Sequence, residues 1–132
     1  MVFNLDNDNK PLDRTADFVL GQPDFITNTP LTSQSVMRNT YGAAYDPVND
    51  RLFVSDGGSH RVLVYDTATI TNGEPAINVL GQSTFSGSAS ANTSTGMSGP
   101  RQLAYDSTNQ RLFVSQVSGN RVTVYDVASI TD

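Results

Sequence analysis

The sequence predicts an all-β protein made of two copies of one antiparallel four-stranded unit, and three observations carry that expectation. The chain repeats itself: at an offset of 60 residues, stretches 18–72 and 78–132 match at 23 of 55 positions without a gap, and "RLFVSDGGSHRVLVYD" (51–66) returns as "RLFVSQVSGNRVTVYD" (111–126). Within each unit, short β-branched and aromatic runs alternate with clusters of Gly, Pro, Asn and Asp, the pattern of antiparallel strands and turns. Leu52-Phe53-Val54 and Val62-Leu63-Val64-Tyr65 are continuous apolar runs where a sheet with one wet face would alternate, so both faces need cover. No ten-residue stretch has good helical periodicity.

Taken in order, residues 1–13 read as the tail of a strand ("VFN") and a turn left from a preceding unit. "RTADFVLG" (14–21) reads as an outermost strand without inner strands of its own. Residues 22–82 hold a complete unit: strand "YGAAYD" (41–46), turn "PVND", strand "RLFVS" (51–55), turn "DGGSH", strand "RVLVYD" (61–66) and, after "TATITNGEP", strand "AINVLG" (76–81). Residues 83–132 repeat the first three strands and lack the fourth. A period of this size with four strands per unit is the signature of a β-propeller blade.

The stretch "GPRQLAYDSTNQRLFVSQVSGNRVTVYD" (99–126) resembles the NHL repeat in its glycine-proline start, its "A-x-D" strand, its "F-V-S" strand and its "N-R-V" strand, and the likeness extends over nearly all of residues 17–132. The resemblance implies a propeller, most often six-bladed, with four strands per blade from the channel outward. The sixty-residue unit is long for that family. His60 and Gln116 stand where the family often has Asn and Asp.

Two blades do not close a ring, because propellers have about 4 to 8. If each bare blade face presents about 500 Å² of apolar surface, covering one at about 25 cal/mol/Å² yields on the order of 12 kcal/mol, before association entropy is subtracted. That upper bound rivals the stability of a whole domain, about 5–15 kcal/mol. The expectation is therefore a homo-oligomer joined head to tail, a trimer of six blades in preference to a tetramer of eight. Phe18, Val19 and Leu20 of one chain would pair with Val122, Val124 and Tyr125 of the next.

Composition narrows the function. A net charge of −5 and a pI near 4.5 disfavour nucleic acid, whose affinity rests on Lys and Arg neutralising phosphates. There are no cysteines, so thiolate chemistry and disulfides are excluded. No apolar run approaches 18 residues and the start has no basic-then-apolar pattern, so neither a membrane partner nor a targeting signal is expected.

Candidate chemistry is sparse. Asp56, Ser59 and His60 share the turn "DGGSH", but the equivalent "QVSGN" has lost all three, and a polar turn accounts for them better than a nucleophilic site. In "DNDNKPLD" (6–13), Asp6, Asp8 and Asp13 offer hard oxygen ligands, yet Pro11 and Asp17 stand where a calcium loop needs Gly and Glu. The Ser- and Gly-rich stretch 86–99 lacks the Gly-Lys-Ser/Thr ending of a phosphate loop and reads as a flexible connection. Asn92-Thr93-Ser94 is a formal glycosylation sequon. No catalytic residue, cofactor or metal is assigned.

Arg51, Arg61, Arg111 and Arg121 recur with the repeat and are expected to pair with Asp46, Asp66, Asp106 and Asp126 or with carbonyls. The positions that break the repeat near the expected loop face are the candidates for ligand contact: Arg38, Tyr41, Asp56, His60, Arg101, Gln116 and Asn120. The expected function is a non-catalytic scaffold or a binding module for a protein, peptide or glycan. A fragment of a propeller enzyme of the lactonase or lyase kind is the alternative.

Overall fold

A computed structural model describes residues 5–8, 10 and 15–130. Its strands are β1 (Thr40–Asp46), β2 (Arg51–Asp56), β3 (Arg61–Asp66), β4 (Asn78–Leu80), β5 (Pro100–Asp106), β6 (Arg111–Gln116) and β7 (Arg121–Asp126). They form two antiparallel sheets, ordered β1-β2-β3-β4 and β5-β6-β7. The described residues contain no α-helix, only a 3-10 turn at Gly57–Ser59. No helix among them is long and apolar enough to cross a membrane.

The turns explain much of what the repeat retains. Asp46 Oδ1 accepts the N–H groups of Val48 and Asn49, and Asn49 Nδ2 donates to Asp46 Oδ2 at 2.8 Å. Asp106 does the same for Thr108 and Asn109. Each turn leaves through a left-handed residue, Asp50 at φ 49° and Gln110 at φ 50°, and the local carboxylate bonds hold that shape. The second turns end alike, on His60 (φ 51°) and Asn120 (φ 49°). Both first hairpins carry an irregularity, between Thr40 and Ala43 and between Pro100 and Leu103. A serine hydroxyl fills each one: Ser55 accepts the Gly42 N–H, and Ser115 accepts the Gln102 N–H and donates to the Gln102 carbonyl.

The apolar runs are covered as their composition requires. Phe53, Val62 and Val64 pack from the first sheet against Leu112, Val114 and Met97, with Val127 in the same cluster between the sheets. On the other face of the first sheet, Val54, Leu63 and Tyr65 pack with Met37 and Ala76, beside Leu20 and Phe85. The second sheet has one covered face only. Val62, Val64 and Phe53 are each 0% exposed, whereas their equivalents Val122, Val124 and Phe113 are 61%, 52% and 36% exposed.

One expectation changes. The fourth strand is three residues rather than 76–81, because Ala76 exchanges hydrogen bonds with Gln34 of the preceding connection instead of with β3. Within 14–21, only Phe18 has bridge pairing among the described residues. Leu5 carries bridge pairing as well, and Val19 is held by Asn72 Oδ1 (3.0 Å) and by the N–H of Gly73 (3.1 Å). Most of the strand tail expected at 1–13 lies outside the described residues.

Candidate functional site

The seven repeat-breaking positions fall at one end of the two sheets, where β1 and β5 begin and β2 and β6 finish. The structure separates them into internal and exposed groups. Asp56 and Gln116, expected on the loop face, are buried at the last positions of β2 and β6. Each strand runs one residue further than its apolar pattern suggests and turns that side chain inward.

Asp56 is saturated there. Its Oδ1 accepts the N–H groups of Arg38 and Asn39 at 3.1 Å each, and its Oδ2 takes Nε of the buried Arg61 at 2.9 Å. Gln116 repeats the role with a neutral group: its Oε1 accepts the Ser98 N–H at 2.8 Å and Arg121 Nη2 at 3.3 Å. The amide's extra donor reaches Thr123 Oγ1 at 2.8 Å, at the position where the first unit has Leu63. The Asp-to-Gln change is thus matched by a Leu-to-Thr change, a compensation of partners rather than drift toward a ligand.

The arginines act as clamps. Arg61 Nη2 donates to the carbonyls of Ser33 (2.9 Å) and Val36 (3.0 Å), and Nη1 to that of Phe85, tying two long connections to β3. Arg121 takes the carbonyls of Thr93 (3.0 Å) and Gly96 (3.2 Å). Arg61 therefore pairs with Asp56 rather than Asp66, while Arg51 pairs with Asp46 at 2.7 Å as expected. The 86–99 stretch is ordered rather than loose: Ala91 N–H bonds the Met97 carbonyl, and the Ser90 and Ser98 hydroxyls meet at 2.8 Å. It borders a hollow of about 290 Å³ lined by small and polar residues from Gly81 to Gly96.

The "DGGSH" side chains do not converge. Asp56 is committed to Arg61, the Ser59 hydroxyl shares a hydrogen bond with Thr32, and His60 Nδ1 accepts the Gly99 N–H at 3.0 Å. That last bond joins the first sheet's turn to the start of the second sheet. No nucleophile–base pair results, since each group faces a different partner. Among the described residues, no three His, Cys, Asp or Glu side chains gather to hold a metal. Asp6 Oδ1 accepts the N–H groups of Asp8 and Lys10, a local turn, and Asp13 lies outside the described residues.

Two candidates do meet in the open. The Arg101 guanidinium lies 4.3 Å from the centre of the Tyr41 ring, and both residues are exposed. The ring rests over Gly57, where an added Cβ would stand 2.6 Å from Tyr41 Cε2. Arg38 and Asn120 are exposed at the same end. This stacked cation–aromatic pair offers a planar face and guanidinium donors to a ligand.

At the opposite end, Asp46 is a titratable group whose shift bears on stability. Burial pushes its carboxyl up, but the hydrogen bonds from Asn49, Arg51 and Val48 outweigh burial and hold it at about 2, below the ordinary 3.8. Its folded-state value is depressed, so its contribution is complete above pH 3.8 and is lost as pH falls toward 2. Circular dichroism during acid titration is expected to show Asp46→Asn less stable at neutral pH but with a shallower loss across that window. Parallel acid curves for the variant and the parent would contradict the assignment.

No family model and no curated protein matches the chain. Among solved structures, the chain is similar to one described as a "putative 6-phosphogluconolactonase" from Bacteroides uniformis, with a TM-score of 0.51 and 17% identity. The match covers 98% of this chain and 32% of that one, so the likeness is one of fold, over about a third of a longer protein.

Proposed function

We propose that the chain is a non-catalytic, self-assembling scaffold: two propeller blades of NHL type per chain, three chains closing a six-bladed ring. The ring would offer its loop face, with the Tyr41–Arg101 pair, to a protein, peptide or glycan. The observation that carries this reading is the difference between the sheets: Phe53, Val62 and Val64 are covered by a neighbouring sheet, and the same residues sixty positions later are bare. The likeness to the Bacteroides uniformis protein supports the two-sheet fold alone.

Light scattering on the purified protein tests the proposal. A mass of about 43 kDa, three times 14.2 kDa, is expected. A mass of about 57 kDa, four times 14.2 kDa, would replace six blades by eight, and a folded single chain at every protein concentration would end the reading. The description of the Bacteroides uniformis protein favours one alternative, a fragment of a lactonase-type enzyme. A stoichiometric divalent ion in metal analysis, with lactone hydrolysis, would establish it in place of the scaffold.

A further inference from the structure

The contact between the two sheets of one chain is a template for a second contact. Across it, the Phe53 and Tyr105 rings meet in a tilted contact, 5.6 Å between centroids and 34° between planes, and the Ser55 hydroxyl donates to the Arg101 carbonyl at 2.6 Å. Arg61 reaches the Phe85 carbonyl in the connection that leads to the second sheet. Moving each pair on by sixty residues names its counterpart in a next copy: Phe113 with Tyr45, Ser115 with the Tyr41 carbonyl, and Arg121 with the Phe25 carbonyl. The apolar members of these counterpart pairs are exposed: Phe113 at 36%, Tyr45 at 49% and Phe25 at 50%. Their equivalents Phe53 and Tyr105 meet, and Phe85 packs on the first sheet's second cluster.

The receiving side is already shaped for this contact. Met37 lies against Gly21 as Met97 lies against Gly81: an added Cβ would approach the methionine side chain within 2.1 Å at the first glycine and 2.6 Å at the second. Residues 21–37 thus keep, on the first sheet, the arrangement that residues 81–97 keep on the second. The register of β3 with β4 is Val62 to Leu80, Leu63 to Val79 and Val64 to Asn78. Shifted by sixty, it aligns Val122, Thr123 and Val124 of one copy with Leu20, Val19 and Phe18 of the next.

We infer that the bare face of the second sheet is a docking surface for the first sheet of another copy of this chain, in the same register in which the two sheets of one chain meet. The partner's Tyr45 then meets Phe113 ring to ring, and the partner's Leu20, Val19 and Phe18 add a fourth strand beside β7. The inference rests on the self-assembly proposed above and fixes its geometry. Head-to-tail contacts of this kind use different surfaces on the two copies, so a ring can close without a two-fold axis.

The chain has no native cysteine, so paired thiols report the register directly. Tyr45→Cys and Phe113→Cys proteins, each prepared alone and then mixed, are expected to cross-link through a short bis-maleimide only in the mixture. The double variant is expected to yield covalent dimers and trimers. A Ser94→Cys and Phe113→Cys pair, with residue 94 in the outer connection, is expected to yield neither. An assembly of several chains without the 45–113 cross-link would overturn this register and leave self-assembly standing, whereas a mass of one folded chain at every protein concentration would overturn both. Should the paired variants fail to fold, Val122→Lys at its exposed position decides: weakening of association by about tenfold or more is expected, and an unchanged dissociation constant overturns the inference.

Discussion

Replacing Arg61 with alanine is expected to remove about 3–5 kcal/mol of stability, the loss that follows when one member of a buried ion pair is deleted and the other is left uncompensated. Arg61 and Asp56 are both fully buried, and the guanidinium also satisfies the carbonyls of Ser33, Val36 and Phe85. Against a typical total of about 5–15 kcal/mol, that loss brings the chain close to unfolding at room temperature. The repeat supplies the control. Arg121 is half-buried, faces the neutral Gln116 and holds two carbonyls, so Arg121→Ala is expected to cost only about 1 kcal/mol. Lysine should not rescue position 61, because an ammonium does not reproduce a planar fork reaching Asp56 and the surrounding carbonyls. Urea unfolding of the three variants measures the difference, and equal losses at 61 and 121 would show that the buried pair has no special weight.

Phe53→Ala is expected to cost about 3–5 kcal/mol in the same assay, the usual range for emptying a fully buried aromatic site. Phe53 belongs to the cluster that joins the sheets and makes a tilted ring contact with Tyr105. Its equivalent, Phe113→Ala, is expected to cost the dilute chain about 1 kcal/mol, because that ring is already 36% exposed. Its larger effect should appear in the concentration dependence of mass, where association weakens. Similar unfolding losses for the two variants, with unchanged association for Phe113→Ala, would mean that the second sheet's far face has no partner.

The inner strands were legible because their signals are local. The β-branched runs set β2, β3, β6 and β7 within a residue, and the Asp46 and Asp106 turns explain why "YD" and Asn recur around each hairpin. Cover on both faces of the first sheet followed from its unbroken apolar runs. What was hidden depends on partners far apart in sequence. Asp56 looked like a loop residue until β2 extended by one position and the backbone of Arg38 and Asn39 came within reach of its carboxylate. The Gln116–Thr123 bond could have been suspected from the paired changes at 56/116 and 63/123, seven residues apart in each unit. The order in residues 86–99 came from Arg121 and from serine-to-serine bonding, which composition alone does not reveal.

Solvent access at residue 122 reports most directly on whether the second sheet's far face is covered. A Val122→Cys protein carries a single thiol, and its rate of reaction with a maleimide can be compared with that of Ile26→Cys, a position 93% exposed in one chain. A second copy seated on this face predicts a thiol at 122 that is protected at high protein concentration and released on dilution, while the thiol at 26 reacts quickly throughout. A thiol at 122 that reacts as fast as the one at 26 at every concentration would contradict it.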